Sequence, residues 1–135
     1  MLPARWREEL GSSVVVTRGL DQCLFVFPAE KFEFLAQQME RLAFSKSDAR
    51  TLSRYLFAEA FDNPPDKQGR IALTPTLRAF AGLDIEVTVV GVNDRIEIWN
   101  PQRYVEADAR IEAEAVTVAE RMGEALQIAL MKNTD

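Results

Sequence analysis

Histidine is absent from this sequence of 135 residues, and cysteine occurs once. Without histidine the chain lacks the usual general base and the commonest transition-metal ligand, although carboxylate chemistry and magnesium sites remain open. These gaps count strongly against an enzyme, and we expect no catalytic residue, no metal and no cofactor. The single cysteine, Cys23, excludes a disulfide within the chain, and its place in the apolar run 23–27 predicts simple packing.

Long apolar runs are also missing, so no segment is able to span a bilayer, and the N-terminus shows no basic stretch followed by an apolar core. We therefore expect a cytoplasmic protein without a membrane partner. The net charge of −5 argues against a basic domain that coats nucleic acid. Any DNA contact has to come from a local basic patch or from repetition in an oligomer.

The sequence contains a weak internal repeat at an offset of 72 positions. The superposed pairs include a turn glycine and three strand residues, namely Gly19 with Gly91, Val15 with Val87, Leu24 with Ile96 and Val26 with Ile98. Identities are few, but the matches fall at turns and in alternating strands, where a shared fold requires them. We predict two repeats around one core. The first, 1–60, is incomplete at its N-terminus and includes two linking helices, whereas the second, 61–135, ends in a long helix.

Each repeat is predicted to begin with a short helix, at 3–10 and 75–83, which is followed by a hairpin. Gly11 closes the first helix and Gly82 lies near the end of the second. The hairpin strands are the β-branched or alternating runs at 14–17, 24–27, 87–90 and 96–99. The turns are expected around 19–21 and 91–94.

Further helices are predicted after each hairpin. Apolar residues at helical spacing indicate one linking helix at 29–42 and a second, capped by Ser45 or Ser47, that carries Leu52 and Leu56. Asn100 is a good N-cap for a final helix that starts at Pro101 and runs toward Lys132. The final helix has an apolar stripe that needs a surface to lie against: Ala107, Ile111, Ala115, Val118, Met122, Leu126 and Ala129. Its solvent face is predicted to carry Glu112, Glu114, Glu120 and Glu124.

The second repeat opens with the turn sequence Asp-Lys-Gln-Gly-Arg at 66–70, followed by an alternating strand predicted at 71–74. Gly69 permits a positive φ, and Asp66 is able to bond back to its own backbone. Lys67 and Arg70 then project from a hairpin tip. Alone, this motif is typical of an ordinary solvated turn. The two prolines before it, Pro64 and Pro65, remove ladder donors and should shorten the entering strand.

Together, the 66–70 turn with its Arg-Ile-Ala-Leu strand, the helix from Pro75, the Gly91 hairpin and the Ile-Glu-Ile-Trp run at 96–99 resemble the MraZ family. The Leu-Pro-Ala-Arg-Trp-Arg segment at 2–7 is similar to the family's segment after its first Asp-x-x-Gly-Arg turn, and the resemblance covers nearly the whole chain. It implies an α+β fold, a pseudo-symmetric double-split barrel of the swapped-hairpin, AbrB-like kind, with peripheral helices. One departure is that the first such turn would fall before Met1, which would expose strand edges that invite pairing with another chain.

The resemblance also implies a function. It indicates a nucleoid-associated regulator, expected to act as a repressor, that forms a ring-shaped homo-oligomer on promoter direct repeats of DNA upstream of the division and cell-wall gene cluster. Arg70 would pair with guanine, Lys67 with a phosphate and Gln68 with a base edge. Gly69 would let the backbone come close, while Asp66 would shape the turn. No small-molecule substrate is expected.

Two alternatives stay open. The first is that Arg70 merely staples the hairpin through an ion pair with Asp66 or with another carboxylate. The second is a protein-interaction module, such as an antitoxin-like barrel that holds a partner with its C-terminal helix, which the acidic charge and the apolar stripe favour.

Overall fold

The computed structural model describes Gly11, residues 13–41 and residues 46–132. The helix predicted at 3–10 and the cap predicted at Ser45 lie outside these residues. By its contacts the chain forms two compact units, Met1–Pro101 and Gln102–Asp135. The first unit combines helices with a sheet, so the predicted α+β class is confirmed, and the described part of the second unit is helical.

Five strands form one antiparallel sheet: β1 (Val14–Arg18), β2 (Leu24–Pro28), β3 (Phe61–Asn63), β4 (Thr88–Val92) and β5 (Arg95–Trp99). Their order in the sheet is β3-β1-β2-β5-β4. The four hairpin strands predicted from β-branched and alternating runs are confirmed to within two residues at each end, because such side chains favour a pleated, half-buried surface.

The two hairpin turns differ from each other. In the second hairpin Gly91 lies inside β4 opposite Ile96, so the predicted turn at 91–94 shrinks to two residues, with Asn93 at a φ of 44°. In the first hairpin Gly19 packs so tightly that an added Cβ would lie 2.6 Å from the ring of Phe25. Glycine at position 19 is therefore required by close approach.

The fixed offset of 72 positions, which superposes the two hairpins without a gap, misaligns their first strands by one residue. Val16 pairs with Val26, whereas Val89 pairs with Ile98. Since Val26 superposes on Ile98, the residue that matches Val16 is Val89, one position later than the fixed offset places it. Between these matched pairs the first hairpin therefore holds one residue more than the second.

The two hairpins meet along β2 and β5. Leu24 pairs with Ile98 and Val26 with Ile96, on either side of the pair Phe25 and Glu97. Because side chains alternate along a strand, the even-numbered residues of both strands face one core. That core consists of Val14, Val16, Leu24, Val26, Leu77, Ala81, Ile96 and Ile98. Fully burying each large member stabilises the fold by about 1.5–3 kcal/mol.

Helices α1 (Ala29–Glu40) and α2 (Ser47–Phe57) link the two hairpins. The predicted cap at Ser47 is wrong, since Ser47 is the first helical residue and the cap position is Lys46, which makes no side-chain cap bond. The end of α2 is tied to β1 instead. The Thr17 hydroxyl donates to the carbonyl of Leu56, and Arg18 Nε donates to the carbonyl of Tyr55 at 3.0 Å. The dipole of α2 also favours the positive charge of Arg18 at the C-terminal end of the helix.

Helix α3 (Pro75–Ala81) is short and well capped. The Thr74 hydroxyl accepts a bond from the Leu77 N–H at 3.2 Å, and Gly82 ends the helix in the left-handed conformation at a φ of 65°. The strand predicted at 71–74 is wrong, because these residues join no ladder within the described part of the chain. The prolines do shorten the entering strand as expected: β3 ends at Asn63 after three residues.

Helix α4 (Pro101–Arg121) begins at the last residue of the first unit, and the second unit contains the rest of α4 together with α5 (Gly123–Lys132). The prediction of one unbroken helix is therefore wrong at Met122, although the Leu126 N–H still bonds to the Met122 carbonyl at 2.8 Å. The four glutamates of the predicted solvent face are exposed, but so are Ile111 and Val118 of the predicted apolar stripe, so exposure does not distinguish the two faces. Across the described residues, no helix has the length and apolar character that crossing a membrane requires.

Cys23 is fully buried, and its Sγ lies 3.2 Å from the Leu20 carbonyl oxygen, which confirms its packing role. Burial, reinforced by the negative charge of Glu97, raises the pKa of the thiol to about 12. Because the thiolate is the nucleophile, we expect iodoacetamide at pH 8 to alkylate the native protein at least a hundredfold more slowly than the protein in urea.

The same pKa shift makes stability depend on pH. The unfolded thiol ionises near its ordinary pKa of about 8.5 while the folded thiol stays protonated. The free energy of unfolding should therefore fall as the pH rises from about 9 toward 12, and a Cys23→Ala variant should lose this part of the dependence. Equal alkylation rates for the native and the urea-unfolded protein would contradict the burial argument.

Candidate nucleic-acid interface

The loop at residues 66–70, between β3 and α3, is a closed turn. The Asp66 N–H donates to the Arg70 carbonyl and the Gly69 N–H donates to the Asp66 carbonyl, both at 2.9 Å. Gly69 is buried at a φ of 78°, in the left-handed region that a residue with a Cβ rarely adopts. The turn therefore depends on glycine at this position.

The carboxylate of Asp66 organises the loop from inside. Its Oδ1 accepts bonds from the backbone N–H groups of Gln68 and Arg70, each at 2.9 Å, and its Oδ2 accepts a bond from Arg70 Nε at 2.8 Å. The backbone bond from Arg70, followed by the side-chain bond, lowers the pKa of Asp66 below its ordinary value. The carboxylate is thus ionised at neutral pH, and the bonds that need its charge are present there.

Arg70 makes the ion pair with Asp66 that would staple a hairpin, but the pair occupies only one side of its guanidinium. The side chain of Arg70 is 65% exposed. Its Nε bonds to Asp66, while its two terminal nitrogens make no hydrogen bond within the described part of the chain. Lys67 and Gln68 beside it are also exposed. The loop therefore presents one oriented guanidinium, one ammonium and one amide to solvent.

The base of the loop is fixed by a residue that the sequence did not single out. Asn63 is buried at the end of β3, and its side-chain amide donates to the carbonyl of Ala72 at 2.5 Å. This bond joins the two arms of the loop where no ladder exists. The only sequence signal was an asparagine directly before two prolines. Together with the pairing of Asn63 and Val14, it anchors the loop to the sheet.

These groups define what the site is able to do. Two cations and an amide suit a polyanion, and the one carboxylate is turned inward to shape the loop. Among the residues that the structure describes, no cluster of three acidic or cysteine side chains is placed to hold a metal ion.

Comparison with known proteins identifies the chain. The family model described as "MraZ protein, putative antitoxin-like" matches residues 1–55 and again 56–125. The chain belongs to the MraZ family. Three relatives, each named "Transcriptional regulator MraZ", span 90% of the chain. Those from Moorella thermoacetica and Desulforamulus reducens are 43% identical to it over 122 residues, and that from Thermomicrobium roseum is 42% identical over 121 residues. The alignments cover 85%, 86% and 85% of these relatives.

Within this MraZ-family chain, each of the two matched stretches contains one hairpin of the sheet. The first includes β1 and β2, and the second includes β4 and β5 together with the 66–70 loop.

Proposed function

We propose that this MraZ-family protein is a DNA-binding transcriptional regulator that recognises specific sequences through the 66–70 loop. One observation carries the proposal: Arg70 is exposed and oriented by Asp66, yet its two terminal nitrogens make no hydrogen bond to any residue that the structure describes. An arginine in this state is prepared to donate two parallel hydrogen bonds to a guanine. The names of the relatives, which are transcriptional regulators, also support this function.

In the proposed complex the loop enters the major groove. Arg70 bonds to the O6 and N7 of guanine, a contact that discriminates by about 1–3 kcal/mol. Lys67, a flexible point charge, contacts a phosphate, and Gln68 reaches a base edge. Gly69 lets the backbone approach. Asp66 stays turned into the loop, since a free carboxylate would be repelled by the duplex.

The proposed architecture is a barrel of two repeats, 1–60 and 61–135, of the swapped-hairpin, AbrB-like kind. Two observations support it. The antiparallel pairing of β2 with β5 is the arrangement that a twofold relation between the hairpins requires, and β3 of the second repeat pairs with β1 of the first. The two separate matches to the family model agree with a duplication.

Assembly is part of the proposed mechanism. The chain has a net charge of −5, and one loop offers few contacts to DNA. A ring of several copies on promoter direct repeats would gain affinity through effective concentration. We propose repeats upstream of the division and cell-wall gene cluster as the target, with repression as the outcome and the nucleoid as the location.

A salt titration tests the loop as the DNA contact. Replacing Lys67 with alanine should remove one phosphate contact and reduce the slope of log affinity against log salt by about one, for operator and unrelated duplexes alike. The measurement is fluorescence anisotropy with a labelled duplex that carries the promoter repeats. Lys46→Ala, at an exposed lysine that precedes α2, is the control and should leave the slope unchanged. An unchanged slope for Lys67→Ala, or parent binding to the repeats no tighter than to a scrambled duplex, would exclude this use of the loop.

A protein-interaction module is the second candidate function, because the helices of the second unit expose apolar residues such as Ile111 at 57% and Met131 at 68%. Ending the chain after Gln102 separates the two functions. Loss of a protein partner with DNA binding retained would support a helix that docks a partner, whereas collapse of the ring would support a helix used in assembly.

A further inference from the structure

An apolar groove of about 530 Å³ lies on the first unit, on the face of the sheet away from the core. Its floor includes Phe25 and Phe27, and its walls include Phe34 of α1 and Leu52 of α2. We call it the apolar groove. A groove of this size with mostly hydrophobic walls resembles a binding site more than ordinary surface.

The rim of the apolar groove is incompletely covered. Leu20 is 53% exposed, Phe34 is 61% exposed and Leu52 is 38% exposed. Contiguous apolar surface of this kind marks an interaction site on a soluble protein. The groove lining also carries charge. Arg95 is engaged by Asp94 and Glu97, whereas Lys31 makes no ion pair within the described part of the chain. An occupant that supplies negative charge would complete the site.

The second unit exposes an apolar helix face. Ile111, Val118 and Met122 follow at spacings of seven and four residues, which places them on one helical face, and each is exposed, at 57%, 38% and 49%. We call this face the apolar stripe. Residues 102–132 hold six acidic and four basic side chains, so the helices that carry the stripe are acidic.

We infer that the apolar groove of one copy receives the apolar stripe of a second copy. The inference rests on the proposed ring, because a closed ring of identical subunits needs a heterologous contact between two different patches of each subunit. Within the described residues, the groove is a concave apolar patch and the stripe is an exposed apolar helix face, so the two are of different kinds. Their charges are complementary as well, since Lys31, which has no ion-pair partner among the described residues, meets an acidic helix.

Two charge insertions test the contact in the full-length chain. Phe34→Glu places a carboxylate in the groove, and Ile111→Glu places one on the stripe. Each should reduce the parent assembly to a 15.3 kDa monomer in light scattering after gel filtration. Both side chains are exposed, so circular dichroism should show folded protein. The controls are Ile85→Glu, at a side chain that is 92% exposed outside the groove lining, and Val116→Glu, at one that is 71% exposed outside the stripe. Both controls should assemble like the parent.

Mixing the two variants identifies which patches meet. The Phe34→Glu variant keeps an intact stripe and the Ile111→Glu variant keeps an intact groove, so an equimolar mixture should form a dimer of twice the monomer mass. A mixture that stays monomeric would overturn the inference, because an intact groove and an intact stripe would then be present together without binding each other. A monomeric parent, or either variant assembling like the parent, would overturn it too.

A third variant tests the charge argument without touching the apolar surface. Lys31→Glu should raise the protein concentration at which half of the chains are assembled by about tenfold at low salt, and an unchanged midpoint would exclude the acidic helices as the occupant. Failure of the groove contact is distinguishable from failure of the proposed DNA function. The monomeric variants should still bind a duplex with a single repeat and still depend on Lys67, because the 66–70 loop is not part of the groove.

Discussion

Replacing Arg70 with alanine is expected to reduce the preference of this protein for its operator over an unrelated duplex by about 5- to 150-fold. The range corresponds to the 1–3 kcal/mol by which a bidentate contact to guanine discriminates against a wrong base. Binding to the unrelated duplex should weaken much less. The measurement is a competition titration at fixed salt, with Arg110→Ala, at an exposed arginine of α4, as the matched control.

Two further variants separate base reading from an ion pair that only stabilises the loop. Arg70→Lys keeps the charge but not the planar pair of donors, so it should retain the salt dependence and lose the sequence preference. Asp66→Asn removes the ion pair but keeps an oxygen for the two backbone bonds, so it should retain part of the preference. If all three variants bind the operator like the parent and differ only in thermal stability, Arg70 does not read bases.

Replacing Leu77 with alanine should lower the free energy of unfolding by about 2–5 kcal/mol. Leu77 is fully buried in the core, where it anchors α3 against the sheet. The substitution leaves a cavity that close-packed neighbours fill only in part. Urea unfolding followed by circular dichroism measures the loss. Because domains of this size are stable by about 5–15 kcal/mol, partial unfolding at 37 °C is an expected consequence.

The control for Leu77 is the same substitution at Leu20, which is 53% exposed. Leu20→Ala should change the free energy of unfolding by about 0.5 kcal/mol or less. Equal effects at the two positions would mean that burial does not set the energetics of this core. Operator binding by Leu77→Ala at a temperature where the variant is folded should match the parent, because the 66–70 loop has its own bonds.

The hairpin strands could be predicted from the sequence because their signal is local. Runs such as 14–16 and 88–90 combine β-branched side chains with nearby turn residues, and no distant contact is needed to recognise them. The strand predicted at 71–74 shows the limit. Its alternation does correspond to partly buried Ile71 and Leu73 around exposed Ala72, yet a ladder also needs a partner. The two prolines at 64 and 65 remove that partner's donors.

The candidate site was predictable in part. The turn, the need for glycine at position 69 and the possible pair between Asp66 and Arg70 all follow from local chemistry. The bond from Asn63 to Ala72 does not, because it depends on how two segments converge in three dimensions. The break at Met122 was missed for another reason. The apolar stripe continues through Met122, so its helical spacing predicted an unbroken helix. The low helix propensity of Gly123 was the only local indication of a break.

The pairing of β2 with β5 joins residues about 70 positions apart in the chain. Closing so large a loop costs chain entropy before the contact contributes any stability. Topologies dominated by such contacts therefore fold slowly. An isolated two-stranded hairpin is only marginally stable in water. During synthesis the first hairpin is complete at residue 28, but β2 gains its pairing with β5 only after β5 has left the ribosome, so we expect the apolar edge of β2 to be open to aggregation until then.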